Sequence, residues 1–248
     1  MIKNSRVLAL IGVLSLCVSV GVLAQERARP VRKPGISGLM AHKGGLIRAP
    51  VTGPVILVLN AQQRVADAEV VAVAARIEQS MKLAVQCQSG KAVDPMAEAV
   101  RRVAEPKVAA VLLVCDKPGL PMLLVAPEAR WAIVNVAALA ADKPEGTRLS
   151  ERLEKELWRG FGYLMGAAHS GFERCVMKSV CQPSDLDQLA GRCVSPEPYI
   201  KIQQHALKIG ASPYAFTSYR QACEQGWAPA PTNALQRAVW DDVKAEKK

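Results

Sequence analysis

The sequence predicts an α/β (α+β) fold: a mixed β-sheet with packed helices in the first half and a helical second half. Three observations carry this. Short β-branched runs alternate with helix-period segments between residues 55 and 136. Beyond Ala141 only helical periodicity remains. Half of the 248 residues are hydrophobic but only 4% are aromatic, a balance of Ala, Val and Leu that suits helices laid on a sheet and excludes a disordered chain.

Taken in order, residues 55–59 (Val-Ile-Leu-Val-Leu) read as a strand between Pro54 and Asn60. Val70, Val73, Ile77 and Met81 recur at helical intervals, so 66–81 reads as a helix. Residues 83–87 read as a second strand, and 95–103 as a helix closed by Pro106. The run 108–115 has almost no polar interruption, which predicts a strand buried on both faces. Two more strands, 121–125 and 131–136, flank a turn at Pro127-Glu128-Ala129. Helices are predicted over 149–166, 184–189, 199–209, 214–225 and 235–244.

The N-terminal end carries a different signal. Lys3 and Arg6 precede an almost wholly apolar run, 7–20, and Val22-Leu23-Ala24 suits a peptidase that cuts after small residues, here before Gln25. Residues 1–24 therefore read as a cleavable signal peptide, and the protein as exported, periplasmic or extracellular, after cleavage near Ala24. The competing reading is a retained anchor helix, since the run is nearly long enough to span a bilayer. Leu16 stands where a small residue should precede a lipidated cysteine, so Cys17 is not read as a lipid attachment site.

Residues 25–50 read as a basic Pro/Gly-rich leader, too punctuated for a helix or strand, and 51–248 as a single domain. Arg27, Arg29, Arg32, Lys33, Lys43 and Arg48 supply much of the net charge of +10. Such an arm suits an anionic membrane or a cell-wall surface, or serves as a solvated linker. No nucleic acid is expected as the partner of an exported chain. Six cysteines follow Cys17: Cys87, Cys115, Cys175, Cys181, Cys193 and Cys223. In an oxidising compartment an even number favours disulfides, and six allow fifteen pairings. Cys87 and Cys115, which close two predicted neighbouring strands, are the first pair expected.

One segment carries a chemical clue. Leu149, Leu153, Leu157, Phe161 and Leu164 form an apolar helical stripe. Beside it stand Lys155, Glu156, Arg159 and Gly162, and after it His169 and Cys175-Val176-Met177. Across roughly residues 107–180 this arrangement resembles the archaemetzincins, a family of zinc metallopeptidases. The resemblance implies a metzincin-like domain, with Glu156 as general base, Gly162 as the glycine that lets the chain turn, His169 as the third metal ligand and Met177 in the turn beneath the metal. Two histidines four apart on one helix face can share an ion, and the glutamate between them can deprotonate its water.

The departures from that pattern decide the expected chemistry. Lys155 and Arg159 hold the two helix-histidine positions, and an arginine cannot be deprotonated in a protein. Counting forward from Glu156, the third histidine would be Met165; counting back from Cys175, it is His169, so an insertion around 164–168 is implied. Ser170 stands in place of a family cysteine, and the later Cys-x-x-Cys is missing, because Cys193 is followed by Val194, Ser195 and Pro196. No cofactor is therefore expected, and the chain reads as an inactive relative whose cleft takes a peptide or an anionic ligand through Lys155 and Arg159. Three other readings stay open. One is an active zinc metallopeptidase that recruits His42 or His205. Another is a surface-association module acting through the leader. The third is a plain amphipathic helix in which Glu151 and Lys155 pair on an outer face and no chemistry occurs.

Overall fold

In the computed structural model, which describes residues 44–61 and 64–246, the β-branched runs assemble into a five-stranded sheet. A short strand, β1 (Leu46–Arg48), precedes it; the sheet itself holds β2 (Val55–Asn60), β3 (Val85–Ser89), β4 (Val108–Cys115), β5 (Leu123–Ala126) and β6 (Trp131–Asn135). Their order is β3-β2-β4-β6-β5. β2, β3, β4 and β6 run parallel, and β5 lies antiparallel to β6 at one edge. The predicted signal peptide and the leader as far as residue 43, His42 included, lie outside the described residues.

Alternation along the strands sorts the core into two layers. Ile56, Val58, Leu112, Val114 and Val134 face one side, while Leu57, Leu59, Val111, Leu113 and Ile133 face the other. Helix α1 (Asp67–Met81) packs on the first side; α2 (Pro95–Val103), through Ala99, packs on the second. The sequence starts α2 cleanly. Asp94 accepts from the backbone N–H groups of Met96 (3.0 Å) and Ala97 (3.3 Å), and Pro95 takes the first helical position, where no N–H is needed. All eight residues of β4 are buried, as its uninterrupted apolar run predicts.

The second half is mainly helical. A short α3 (Val136–Leu139) follows β6, and α4 (Arg148–Leu164) lies across the first face of the sheet. Then come α5 (Pro183–Gln188), α6 (Pro196–Lys208), a strand β7 (Phe216–Ser218), α7 (Tyr219–Glu224) and α8 (Ala234–Glu246). No described helix is long and apolar enough to cross a membrane.

Three expectations are corrected here. The leader was expected to hold no strand, yet Leu46–Arg48 pairs antiparallel with Phe216–Ser218. That partner also splits the helix expected over 214–225, because its first residues give their backbone groups to β1 instead. Ile47 packs there beside Tyr219. Finally, Cys87 lies on β3 and Cys115 on β4, and β2 runs between them. Two strand spacings amount to about 10 Å, beyond the reach of a disulfide. No disulfide is present among the described residues.

Candidate functional site

Helix α4 carries the predicted stripe into the core: Leu153, Leu157, Phe161 and Leu164 are each at most 1% exposed. Its polar residues are buried as well. Arg152, Lys155, Glu156 and Arg159 are all 5% exposed or less, so beyond its first turn, where Arg148 and Ser150 are exposed, the helix is enclosed almost all round. The expected surface pair of Glu151 with Lys155 is replaced by a buried bond, Lys155 Nζ donating to the Leu186 carbonyl on α5 at 2.7 Å. Burial holds the Lys155 ammonium below its ordinary pKa. This side chain does not line the cleft, contrary to its expected role as a ligand contact.

Arg159 turns the other way. Its Nε donates to Glu156 Oε2 at 2.8 Å, and its Nη1 donates to the carbonyls of Val176, at 3.2 Å, and Lys178. The guanidinium thus ties the helix to the loop that contains Cys175-Val176-Met177, and it lies over the Tyr163 ring, 5.5 Å from the centroid. Glu156 is fully buried, and its Oε1 has no hydrogen-bond partner among the described residues. Burial raises the Glu156 pKa, and Arg159 offsets part of that rise. An unpaired carboxylate oxygen in the interior is costly unless a ligand or solvent reaches it.

Oε1 belongs to a residue that lines a cleft of about 550 Å³. Glu156, Arg159, Tyr163 and His169 supply its polar wall, and Pro121, Met122, Leu123 and Val180 its apolar wall. His169 is exposed, and its Nδ1 sits 2.9 Å from the Tyr163 hydroxyl. Asn135, which the sequence did not single out, shapes the apolar wall. Its side chain donates to the carbonyls of Lys117 (2.9 Å) and Leu120 (2.7 Å) and accepts from the Lys117 N–H (3.0 Å), fixing the loop into β5. The only sequence signal for it is a polar residue ending an apolar strand.

Gly162 does not turn the chain. It stays inside α4 and makes room for Met177, which packs against it. The turn comes one helical turn later, at Gly166 with φ +74°. There the Gly166 N–H donates to the Tyr163 carbonyl at 3.0 Å, and the Ala167 N–H to the Gly162 carbonyl at 2.9 Å, a Schellman closure.

Beyond the turn, Cys175 Sγ accepts from the backbone N–H groups of Met177 (3.4 Å) and Ser195 (3.2 Å). Ser170 Oγ and Ser195 Oγ stand 3.2 Å apart beside it. Burial pushes the Cys175 thiol upward, but hydrogen bonds from Ser195, Met177 and Ser170 outweigh it and hold the thiol below its ordinary pKa. Cys181 is exposed, and Cys223 lies elsewhere, in the cluster of α7 and α8.

The residues present do not fit zinc. One candidate ligand position holds a guanidinium paired to Glu156, the other an ammonium turned toward α5, and His169 bonds to Tyr163. Among the described residues no three His, Cys, Asp or Glu side chains converge on one point. His205 lies on α6, beside Gly166.

In fold, the chain is similar to the archaemetzincin of Methanopyrus kandleri, at 18% identity over 63% of this chain and 96% of that one, with a TM-score of 0.49. It is also similar to a zinc-dependent peptidase from Methanocorpusculum labreanum, at 16% identity over 60% of this chain and 99% of that one, with a TM-score of 0.45. The likeness is one of fold alone. No family profile and no curated protein matches the chain.

Proposed function

We propose that this chain is an exported, catalytically inactive protein with an archaemetzincin-like domain, and that its cleft binds a peptide. The observation that carries the reading is the buried pair of Arg159 with Glu156. A fixed cation takes the carboxylate oxygen that a hydrolase would need for its water, and it cannot give up its proton. What remains without a partner among the described residues is the second oxygen, Glu156 Oε1, a buried acceptor on a residue that lines the cleft. An acceptor of that kind matches an amide N–H of an extended peptide better than the carboxylate first expected at Lys155 and Arg159, because both cations are already engaged. The signal peptide at 1–24 supports export.

The full chain is purified, dialysed and measured for zinc, then incubated with a fluorogenic peptide library. The expected result is no retained zinc and no cleavage. Binding is read on an immobilised random hexapeptide library against a Met122→Trp variant, which narrows the cleft from its apolar side. Enrichment of peptides by the native chain and its loss in the variant is expected. Stoichiometric zinc, or cleavage abolished by Glu156→Gln, would replace this reading with that of an active peptidase.

A further inference from the structure

We propose that Cys175 and Cys193 form a disulfide when the chain meets a disulfide oxidant. The placement comes from the backbone. The two residues face each other in an isolated parallel bridge, closed by the Val176 N–H donating to the Cys193 carbonyl at 2.9 Å. Partners in such a bridge stand about 4.8 Å apart and project to the same side, within the span of Cα atoms that a disulfide joins. Gly191 makes this approach feasible. A Cβ there would lie 1.8 Å from the Arg174 carbonyl oxygen, so any other residue would force the two segments apart.

The pair is also graded in access. Cys193 is exposed, whereas Cys175 is fully buried. Around Cys175 Sγ, two backbone N–H groups and the Ser195 and Ser170 hydroxyls supply donors that stabilise a thiolate. The order of steps follows. The exposed Cys193 thiolate attacks one sulfur of the oxidant, a small-molecule or protein disulfide, and the first oxidant thiolate leaves. The Cys175 thiolate then attacks Cys193 Sγ and displaces the second. One oxidant disulfide is reduced to two thiols, and the two cysteines lose two protons and two electrons.

The bond would close a loop that contains α5. That loop presents the Leu186 carbonyl to Lys155 and the Asp187 carboxylate to Arg152. The inference stands apart from the reading of the cleft and fails or survives without it. No other pair among the six cysteines is joined by a backbone bridge among the described residues.

The test is peptide mapping of the full chain after incubation with oxidised glutathione, alkylation and trypsin. Cleavage after Arg174, Lys178, Arg192 and Lys201 separates the three candidate cysteines: residues 175–178 hold Cys175, 179–192 hold Cys181 and 193–201 hold Cys193. The expected product is 175–178 joined to 193–201, two hydrogens lighter than their sum and released by reductant. It is expected unchanged in a Cys181→Ser variant. Full alkylation of both Cys175 and Cys193, or a link through 179–192 in their place, overturns the proposal.

Discussion

Met177 and Gly162 occupy one space: a Cβ built on Gly162 would lie 2.5 Å from Met177 Sδ and 2.9 Å from its Cε. The hydrogen in place of a side chain lets the loop of Cys175-Val176-Met177 rest on α4, which brings the Val176 carbonyl to Arg159. Replacing this glycine by alanine gains about 1 kcal/mol of helix propensity. Overpacking costs about 1–3 kcal/mol, so Gly162→Ala should be net destabilising by up to about 2 kcal/mol. Gly160 is the control. Its Cβ would meet Leu112 and Leu123 methyl groups at 3.1 Å, which give way by a few tenths of an ångström, so Gly160→Ala should stay within about 0.5 kcal/mol of the native chain. Urea unfolding of both variants separates the two cases. In a Met177→Ala background the penalty at Gly162 should vanish, because the clashing sulfur is gone.

Glu156 gives a pH signature. Burial raises its pKa above the ordinary value of 4.5, with Arg159 pulling the other way in part. A carboxyl of this kind holds its proton more tightly folded than unfolded. Its contribution therefore favours the fold fully below the unfolded value and is lost as pH rises through the folded one. Glutamine cannot titrate. The stability of the native chain minus that of Glu156→Gln should thus decline as pH rises above about 4.5 and then level off. Urea midpoints of both proteins from about pH 4 to about pH 8 measure this. A difference that grows with pH would mean that Arg159, rather than burial, governs the carboxyl.

The features legible in the sequence are those set by local periodicity. The eight apolar residues of β4, the 3.6-residue stripe of α4 and the Asp94-Pro95 start of α2 each carry their own signal. β1 and β7 carry none: each is three residues long and exists only because the other pairs with it from far along the chain. The polar residues of α4 misled for a related reason. Lys155, Glu156 and Arg159 look like a solvated face, and their burial is tolerable only because α5 and the loop after Cys175 deliver the Leu186, Val176 and Lys178 carbonyls. No short-range pattern contains those partners. The position of the turn was readable, since Gly166 ends the apolar stripe, but the resemblance drew attention to Gly162.

The junction of β1 with β7 predicts an unequal pair of effects. Arg48 pairs with Glu78, but its side chain is 47% exposed, and such a bridge contributes at most about 1 kcal/mol. Glu78 also accepts from the Val85 N–H at 3.0 Å, so Arg48→Ala leaves it partnered. Deleting residues 44–50 removes more: the pairing to β7, the Ala49 N–H bond to the Ala215 carbonyl and the packing of Ile47 near Tyr219. Thermal unfolding should show a small shift for Arg48→Ala and a drop several times larger for the deletion.

Arg152 sits where α4, α5 and the segment after α3 meet. It is 2% exposed, and it donates to the Asp187 carboxylate at 2.6 and 2.8 Å, to both Asp142 oxygens and to the Leu139 carbonyl. Removing one partner of a buried ion pair costs about 3–5 kcal/mol. Both aspartates keep contact with solvent, so Arg152→Ala should fall near the lower end, about 3 kcal/mol. Arg152→Lys keeps the charge but not the planar fork, and it cannot serve two carboxylates and a carbonyl in the same geometry. Arg152 hydrogen bonds hold Asp142 and Asp187 below the usual carboxylate pKa. Such groups stabilise the fold above their unfolded pKa, and that stability is lost as pH falls through the folded values. Asp187→Asn should therefore be less stable than the native chain near neutral pH, and its stability should fall less steeply toward acid, because the carboxylate linked to Arg152 no longer titrates. Hydrogen exchange over 183–188 provides a local readout, since α5 loses its tie to Arg152 and should exchange faster in Arg152→Ala and in Asp187→Asn.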